Sequence, residues 1–461
     1  MFTYPISENA YDLIVAGGGP SGVMASLAAG RLGLKVLLIE RHGFLGGMNT
    51  AGLVGPVMTF HAGSLQIVRG IPGEIMAEMK SLGASPGHLV DPIWANTTMT
   101  PIDTEVYKSL LMKKITDAGV TLLLHSMVVE GKLAGNGVES LMVANKNGLR
   151  SYRAKFFIDA TGDGDLAASL GCEFQMGRPS DNLTQPMTLL FKMGGVDFAA
   201  VRNAIQEKPA NFYLGLSLEQ YLASPGLAVS GFYEEVKLAK VQRAFPFDRD
   251  RVLFFGLTRP GEVTVNSLRM SHVNGAVAED LTKAEQGLRQ QVPQMAEFLS
   301  RFIPGFKNAY VFETAAQVGV RETRHIAGDY CLTTENIFKQ TRFEDSIAHA
   351  SYPIDLHSPD GSGMKIIDPR AGNPDSYYDI PFRCLLPKKM ENLLVTGRCI
   401  SAEHEASASS RISATCMALG QAAGSAVFHV MNEKRSSFRE LNIGNLQSQL
   451  IADGAYLSLL R

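Results

Sequence analysis

Cysteine is scarce in this chain and never paired by spacing: Cys172, Cys331, Cys384, Cys399 and Cys416 lie far apart, and no Cys-x-x-Cys occurs. That excludes the ligand pattern of an iron–sulfur cluster, a zinc ribbon or a dithiol redox centre. An odd count without a framework suits a reducing cytosol. A surplus of one charge is missing too. Lys plus Arg number 43 against 45 Asp plus Glu, the net charge is −2, and no basic run stands out, so a nucleic-acid partner is not expected. The N-terminus has no basic region leading into an apolar stretch, so no signal peptide is expected and the cytoplasm is the expected location. Long apolar runs are nearly absent. Ile412 to Val430 contains no Asp, Glu, Lys or Arg, but Ser413, Thr415, Gln421, Ser425 and His429 lower its apolarity. It is expected to be a buried helix packed closely on a sheet, not a membrane span.

What the chain does have is 461 residues, enough for two or three domains, and one strong pattern at its start. Tyr11-Asp-Leu-Ile-Val-Ala-Gly17-Gly18-Gly19-Pro20-Ser21-Gly22 precedes a small-residue helix, and Lys35-Val-Leu-Leu-Ile-Glu40 follows it. The order is strand, Gly-x-Gly-x-x-Gly, helix, strand, acidic residue. Gly17 permits the tight turn, Gly19 lets backbone approach a pyrophosphate, and Gly22 lets the helix pack on the strand. The helix start offers unpaired N–H groups to phosphates. Glu40, 18 residues after Gly22, stands where a carboxylate accepts ribose hydroxyls. No second strand-linked Gly-x-Gly-x-x-Gly is present.

Further along, Gly46-Gly47-Met48-Asn49-Thr50-Ala51-Gly52 is a glycine-rich loop. Asp103 and its neighbours predict a helix start, with Val106, Leu110, Leu111 and Ile115 on one buried face. Residues 120–158 predict strands near Thr121–Leu124, Met127–Val129, Ser140–Val143 and Lys155–Ile158, separated by hairpin-type turns at Gly135-Asn-Gly137 and Asn147-Gly148. The last strand runs into Ala160-Thr161-Gly162-Asp163-Gly164-Asp165, where a cofactor and backbone can meet. From 171 to 385 the strand–helix alternation is lost, and one long helix is predicted from Gly275 to Phe302. Asp355 to Asp379 is dense in Pro, Gly, Ser and Asp and is expected to be a loop of the kind that serves as a lid. Strand grammar returns at Glu391-Asn-Leu-Leu-Val395-Thr396-Gly397-Arg398, followed by the uncharged helix.

Four separated blocks together resemble FAD-dependent oxidoreductases of the two-domain Rossmann flavoprotein fold. They are Gly17–Gly22 with Glu40-Arg41, Gly46–Thr50, Ala160–Asp163, and Thr396–Arg398 with Gly420-Gln-Ala-Ala-Gly424. Gly319-Val-Arg321-Glu322-Thr323-Arg324 and Gly397-Arg398-Cys399-Ile-Ser-Ala-Glu403-His404-Glu405-Ala406 are similar to the "FAD dependent oxidoreductase" family. Its relatives include the flavoprotein part of heterodisulfide reductase and, more distantly, fumarate reductases and tRNA-modifying flavoproteins. The fold class implied is α/β: a Rossmann-like, discontinuous FAD-binding domain at 1–170 and 386–461, with an inserted mixed α+β substrate domain at 171–385. By the same resemblance, FAD would contact Gly17, Gly19, Pro20, Ser21 and Gly22 at the pyrophosphate and Glu40 at the ribose. Arg41 and Val129 would lie at the adenine, and Gly47, Met48 and Asn49 along the phosphate and ribityl wall. Gly162 and Asp163 would close the site, and Gly397 and Arg398 would stand near the ribityl chain or pyrimidine edge.

Flavin carries the electron step, so the protein must place a substrate, move a proton and fix polar groups. Arg321, Arg324 and His404 are the catalytic candidates: arginine binds a carboxylate or enolate-like oxygen, and histidine moves a proton near neutral pH. Arg321 and Arg324 could instead pair with Glu322 or Glu313. His325, Tyr352 and His357 are weaker candidates, and Cys399 reads as a packing residue. No metal site is expected, because Asp163 and Asp165 have no His or Cys nearby. The expected activity is oxidation of a small organic substrate by hydride transfer to flavin N5, with electrons passed to an unidentified acceptor. The alternatives are a fumarate-reductase-type reductase, an NAD(P)-dependent dehydrogenase lacking flavin, and an electron-transfer or RNA-modifying flavoprotein. FAD is expected to be non-covalent, although His42 or His61 could tether it, and a homo-oligomer is compatible with the sequence.

Overall fold

The computed structural model describes residues 6–94, 97–360, 363–370 and 373–460. The apolar run Leu13-Ile14-Val15 lies in β1 (Ile6–Ala16), and all three residues are fully buried. Gly19 stands just before α1 (Pro20–Arg31), where proline's fixed φ suits the first turn. Strand β2 (Val36–Ile39) is buried along its whole length and pairs in parallel with β1, from Leu13 opposite Val36 to Ala16 opposite Ile39. Helix α2 (Thr104–Asp117) begins at the predicted place, because the Asp103 carboxylate accepts the Glu105 and Val106 N–H groups. Four strands follow: β3 (Thr121–Leu123), β4 (Met127–Ala134), β5 (Gly137–Asn145) and β6 (Gly148–Asp159). The last three form the two predicted hairpins, and β6 lies parallel to β1.

The chain then builds a second sheet. Its strands are β7 (Phe191–Gly194), β8 (Ala228–Gly231), β9 (Val252–Gly256) and β10 (Val263–Val265). Helix α3 (Ala278–Phe302) and strand β11 (Tyr310–Thr314) complete it, in the antiparallel order β8-β9-β10-β7-β11. Along α3 the buried residues Ala284, Leu288, Val292, Met295 and Phe298 recur every three or four positions and form one apolar stripe. This layer is here called the cap.

Strand β12 (Leu393–Val395) returns to the first sheet beside the end of β6, giving the order β3-β2-β1-β6-β5-β4 with β12 also on β6. Helix α4 (Ser413–Asn432) is the uncharged segment, and it is buried against α1. A Cβ on Gly420 would lie 2.0 Å from the Ser21 carbonyl oxygen, and one on Gly424 would lie 2.1 Å from that of Ala25. The small residues therefore let two backbones touch. Among the described residues no helix is long and apolar enough to cross a membrane.

The apolar side chains divide the chain at a different place from residue 385. The cap core runs from Met187 to Val318, with Leu53 added. Leu332, Ile347, Ile354, Tyr378, Ile380 and Leu385 belong instead to the core of the first sheet, together with α4. Short antiparallel pairs make this stretch look cap-like in sequence while its burial ties it to the first unit. The expected loop at 355–379 is likewise built: Ile354–His357 pairs with Met364–Ile367, and Tyr378–Pro381 pairs with Ser346–Ala350. Residues 361–362 and 371–372 lie outside the described residues.

Replacing Gly420 with Ala is expected to destabilise the protein by about 3 kcal/mol or more, since the clash is with backbone. Gly73→Ala, whose Cβ would meet the Gln66 side chain at 3.6 Å and the Val68 carbonyl oxygen at 4.0 Å, both ordinary contacts, is the neutral control. Chemical denaturation of both variants measures the difference.

Candidate functional site

The strands β1, β2, β6 and β12 all end at one edge of the sheet, and their exits open on a cavity of about 960 Å³ that continues under the cap. Every residue expected at the cofactor lies on its wall except Gly22 and Asn49. Gly22 acts from behind: a Cβ there would sit 1.8 Å from the Gly17 carbonyl oxygen. Asn49 is buried, and its amide donates to the Val54 carbonyl at 2.8 Å, so it shapes the loop and does not face the cavity.

The glycine turn is made as its chemistry requires. Gly17 has φ +100°, and a Cβ on it would lie 2.6 Å from the Ala160 carbonyl oxygen. Gly19 differs, because a Cβ there would meet nothing nearer than Gly47 Cα at 3.9 Å. The space in front of Gly19 is therefore a cradle that a side chain would fill, which fits a dinucleotide phosphate. Glu40 is buried, and its two oxygens accept the Gly18 and His42 N–H groups at 2.7 and 2.8 Å. Each oxygen keeps a further lone pair. Arg41 donates to Gln317 at 3.0 Å, and the His42 ring reaches the same amide oxygen at 2.9 Å. His61 bonds Thr98 and packs edge-on to His88, and it is not on the cavity wall.

Arg398 is a clamp. Its guanidinium donates to the Gly162 carbonyl at 2.9 Å, to the Asp163 carboxylate at 2.6 Å and to the Val320 carbonyl. Asp163 also accepts from Thr323 at 2.8 Å. Just before this loop, burial pushes the Asp159 carboxyl up to about 6, against the donors Ala167 and Thr161 that favour its charged form. Among the described residues no three His, Cys, Asp or Glu side chains gather as a metal would need.

Under the cap the wall changes character. Arg249, Arg321 and Arg411 meet Tyr352, Asp355 and His357 there. Burial, with the Arg321 charge beside it, pushes His357 down to about 3. Burial works to raise the Asp355 carboxyl, but His357, Arg411 and Arg321 together hold it well below the usual carboxylate range. Nothing local in the sequence marks Arg249, Arg411 or Asp355. Asp248-Arg249-Asp250-Arg251 reads as a solvated charge run, and Asp355 as the edge of a loop.

The three catalytic candidates part company. Arg321 is on the wall at this end. Arg324 is on the wall too, but it is tied to Asp165 at 2.8 Å and to the Asp163 carbonyl at 3.0 Å. His404 is not on the wall. Its Nδ1 lies 2.7 Å from Glu322 Oε1, and His325 Nε2 reaches the same oxygen at 3.0 Å. Both nitrogens therefore carry protons facing one carboxylate. Burial works to raise Glu322, yet the two histidine bonds outweigh it and hold the group down at about 2. Glu313, the other partner expected for the arginines, pairs with Lys192 at 2.8 Å.

A sheet with a parallel core, whose glycine-turned exits meet a long cavity closed by an antiparallel cap, is the fold of dinucleotide-binding flavoproteins. The chain belongs to the FAD dependent oxidoreductase family, whose model matches residues 12–450. That family is described as FAD-dependent oxidoreductases. Thiamine thiazole synthase of Methanococcus aeolicus is 31% identical over 170 residues, 34% of this chain and 58% of that protein. Dihydrolipoyl dehydrogenase of Trypanosoma brucei brucei is 51% identical over 39 residues, 8% of each chain. The chain thus spans less than two thirds of the length of these curated relatives. The crystal structure of p-nitrophenol 4-monooxygenase PnpA from Pseudomonas putida shares the fold at 12% identity, with a TM-score of 0.50 over 97% of this chain and 93% of that one.

Glu322 supplies a test by acid. Its folded carboxyl lies below its ordinary 4.5, so its stabilisation is present above pH 4.5 and is lost as pH falls through about 2. The shift corresponds to about 3 kcal/mol. Unfolding free energies across that window should fall more steeply for the natural chain than for Glu322→Gln. Parallel profiles would show that the two histidines do not hold a carboxylate.

Proposed function

We propose that this FAD-dependent oxidoreductase oxidises a small organic molecule held under the cap, with the dinucleotide laid along the exits of β1, β2 and β6. The observation that carries the reading is the single cavity joining the Gly17–Gly22 turn to the buried polar group at Arg321 and His357. FAD, when bound, supplies the hydride acceptor for a substrate C–H bond.

The chain's own residues do the rest. Gly19 and the first N–H groups of α1 receive the phosphates. The remaining lone pairs of Glu40 accept ribose hydroxyls, and Arg41 and the backbone of Val129 border the adenine. Gly47 and Met48 wall the phosphates, while Gly162, Asp163, Gly397 and the clamped Arg398 hold the middle of the cofactor's path. Ile412, Ser413 and Cys416 bring the start of α4 to the cavity, and no side chain caps that helix. Its positive end stabilises negative charge arriving there.

His357, neutral at pH 7, takes the proton leaving the substrate's hydroxyl or amine as the hydride departs from carbon. Its Nε2 is 3.4 Å from Asp355 Oδ2, so the carboxylate orients the ring and balances the imidazolium that forms. Leu253 and Phe255 from the cap keep water from this end. Glu322 with His325 and His404 lies behind the wall and supports Arg321 without touching substrate.

Two measurements test this. Gly19→Ala should melt like the natural chain but bind FAD at least tenfold more weakly, whereas Gly17→Ala should lose stability outright. Anaerobic mixing with hydroxy acids, amines and sugars should bleach the bound flavin for one class, and His357→Gln should slow that bleaching by about 100-fold. A protein that neither carries nor takes up FAD would end the proposal.

A further inference from the structure

Resting on the reading of the capped end as the substrate site, we propose that the substrate is a small carboxylic acid whose carboxylate is held by Arg249 together with Arg321 and Arg411. Three arginines line the wall at that end, with Asp355 as the acid among them. Arg249 and Arg321 are each only 7% exposed. Among the described residues none of the three arginines has a carboxylate within ion-pair distance, although buried cations elsewhere in this chain do: Arg398 meets Asp163 at 2.6 Å and Lys192 meets Glu313 at 2.8 Å.

Hydrogen bonding leaves the same deficit. Arg321 donates to the Pro186 carbonyl at 2.5 Å and to Asn266 Oδ1 at 3.5 Å, and Arg411 reaches Gln185 at 3.3 Å and the Asp355 carbonyl at 3.5 Å. The Arg249 guanidinium has no hydrogen-bond partner among the described residues. Its neighbour Asp250 is taken by Arg251 at 2.7 Å. An unpaired buried cation is costly unless an anion arrives to meet it. A planar guanidinium fork matches a carboxylate with two parallel bonds.

The source of that anion is narrowed by where the arginines come from. Arg249 is carried by the cap just before β9, and Arg411 stands just before α4. The pyrophosphate cradle at Gly19 lies on the first turn of the first sheet. Beside the arginines the wall includes Met58, Leu190, Leu253 and Phe255, which suit a short carbon skeleton attached to the acid. Burial and the neighbouring Arg269 press Arg249 down to about 9, and the charge of a bound anion offsets both effects. The same anion offsets the Arg321 charge that holds His357 low, which makes His357 a better base only when substrate is present.

The test uses the purified protein, with FAD content assayed and ligand binding followed by calorimetry and by the visible bands of the flavin. Malonate is the probe, malonamide its neutral isostere, and inorganic phosphate the rival anion. Malonate should bind at least tenfold more tightly than either. Arg249→Gln should weaken malonate at least tenfold with FAD content unchanged, and Arg249→Lys should recover part of the loss. Equal binding of malonamide, equal or tighter binding of phosphate, an unaltered Arg249→Gln, or loss of FAD from that variant would each overturn the proposal. Should Arg249→Gln not fold, Arg249→Lys and the three-ligand comparison on the natural chain decide it. Arg249-dependent malonate binding by a protein without FAD would sink the cofactor reading and leave the acid site standing. A flavin-replete protein indifferent to malonate would do the reverse.

Discussion

Backbone meeting backbone without side chains between them is the constraint on which this molecule rests. Gly22 lets α1 sit on the exit of β1, and Gly420 and Gly424 let α4 sit on α1. These contacts bring the starts of two helices to the same edge of one sheet. The positive ends of both therefore point into one cavity. Any Cβ at these places would move a helix by more than the contact distance allows, and the cavity would lose its shape before it lost a single polar residue.

The polar residues follow two separate rules. At the glycine-rich end each charge is spoken for by the protein: Glu40 by two N–H groups, Arg398 by Asp163 and two carbonyls, Arg324 by Asp165. These groups set the wall and hold it still. Under the cap the arginines lack carboxylate partners, and the one acid facing them is outnumbered. Stability is built into the first end, and reactivity into the second.

The first end was legible in the sequence because its physics is local. A turn that needs φ +100° at Gly17, a cap at Asp103 and hairpins at Gly135 and Asn147 are each decided within a few residues. The helix 413–432 was legible for the same reason, since an uncharged stripe with paired glycines has few places to go. The second end was not. Arg249, Arg411 and Asp355 come from segments far apart in the chain and meet only when the cap closes over the sheet. His404 shows the converse: its flanking motif is local in sequence, but its ring is bonded to Glu322, which the motif does not contain. The stretch from 324 to 385 is built of short antiparallel pairs whose pattern resembles the cap's, and only the burial of Ile354, Tyr378 and Ile380 shows which core it serves.

Leu53 follows directly on the glycine-rich loop that walls the cavity, adopts φ 50°, and buries its side chain in the cap's core. A leucine in that left-handed conformation is held there only by what surrounds it. The loop is thus a peg as well as a wall: whatever seats Gly47 and Met48 also drives Leu53 into its socket. One short segment therefore fastens the two layers together, and a disturbance of the crevice wall reaches the cap's core through a single side chain.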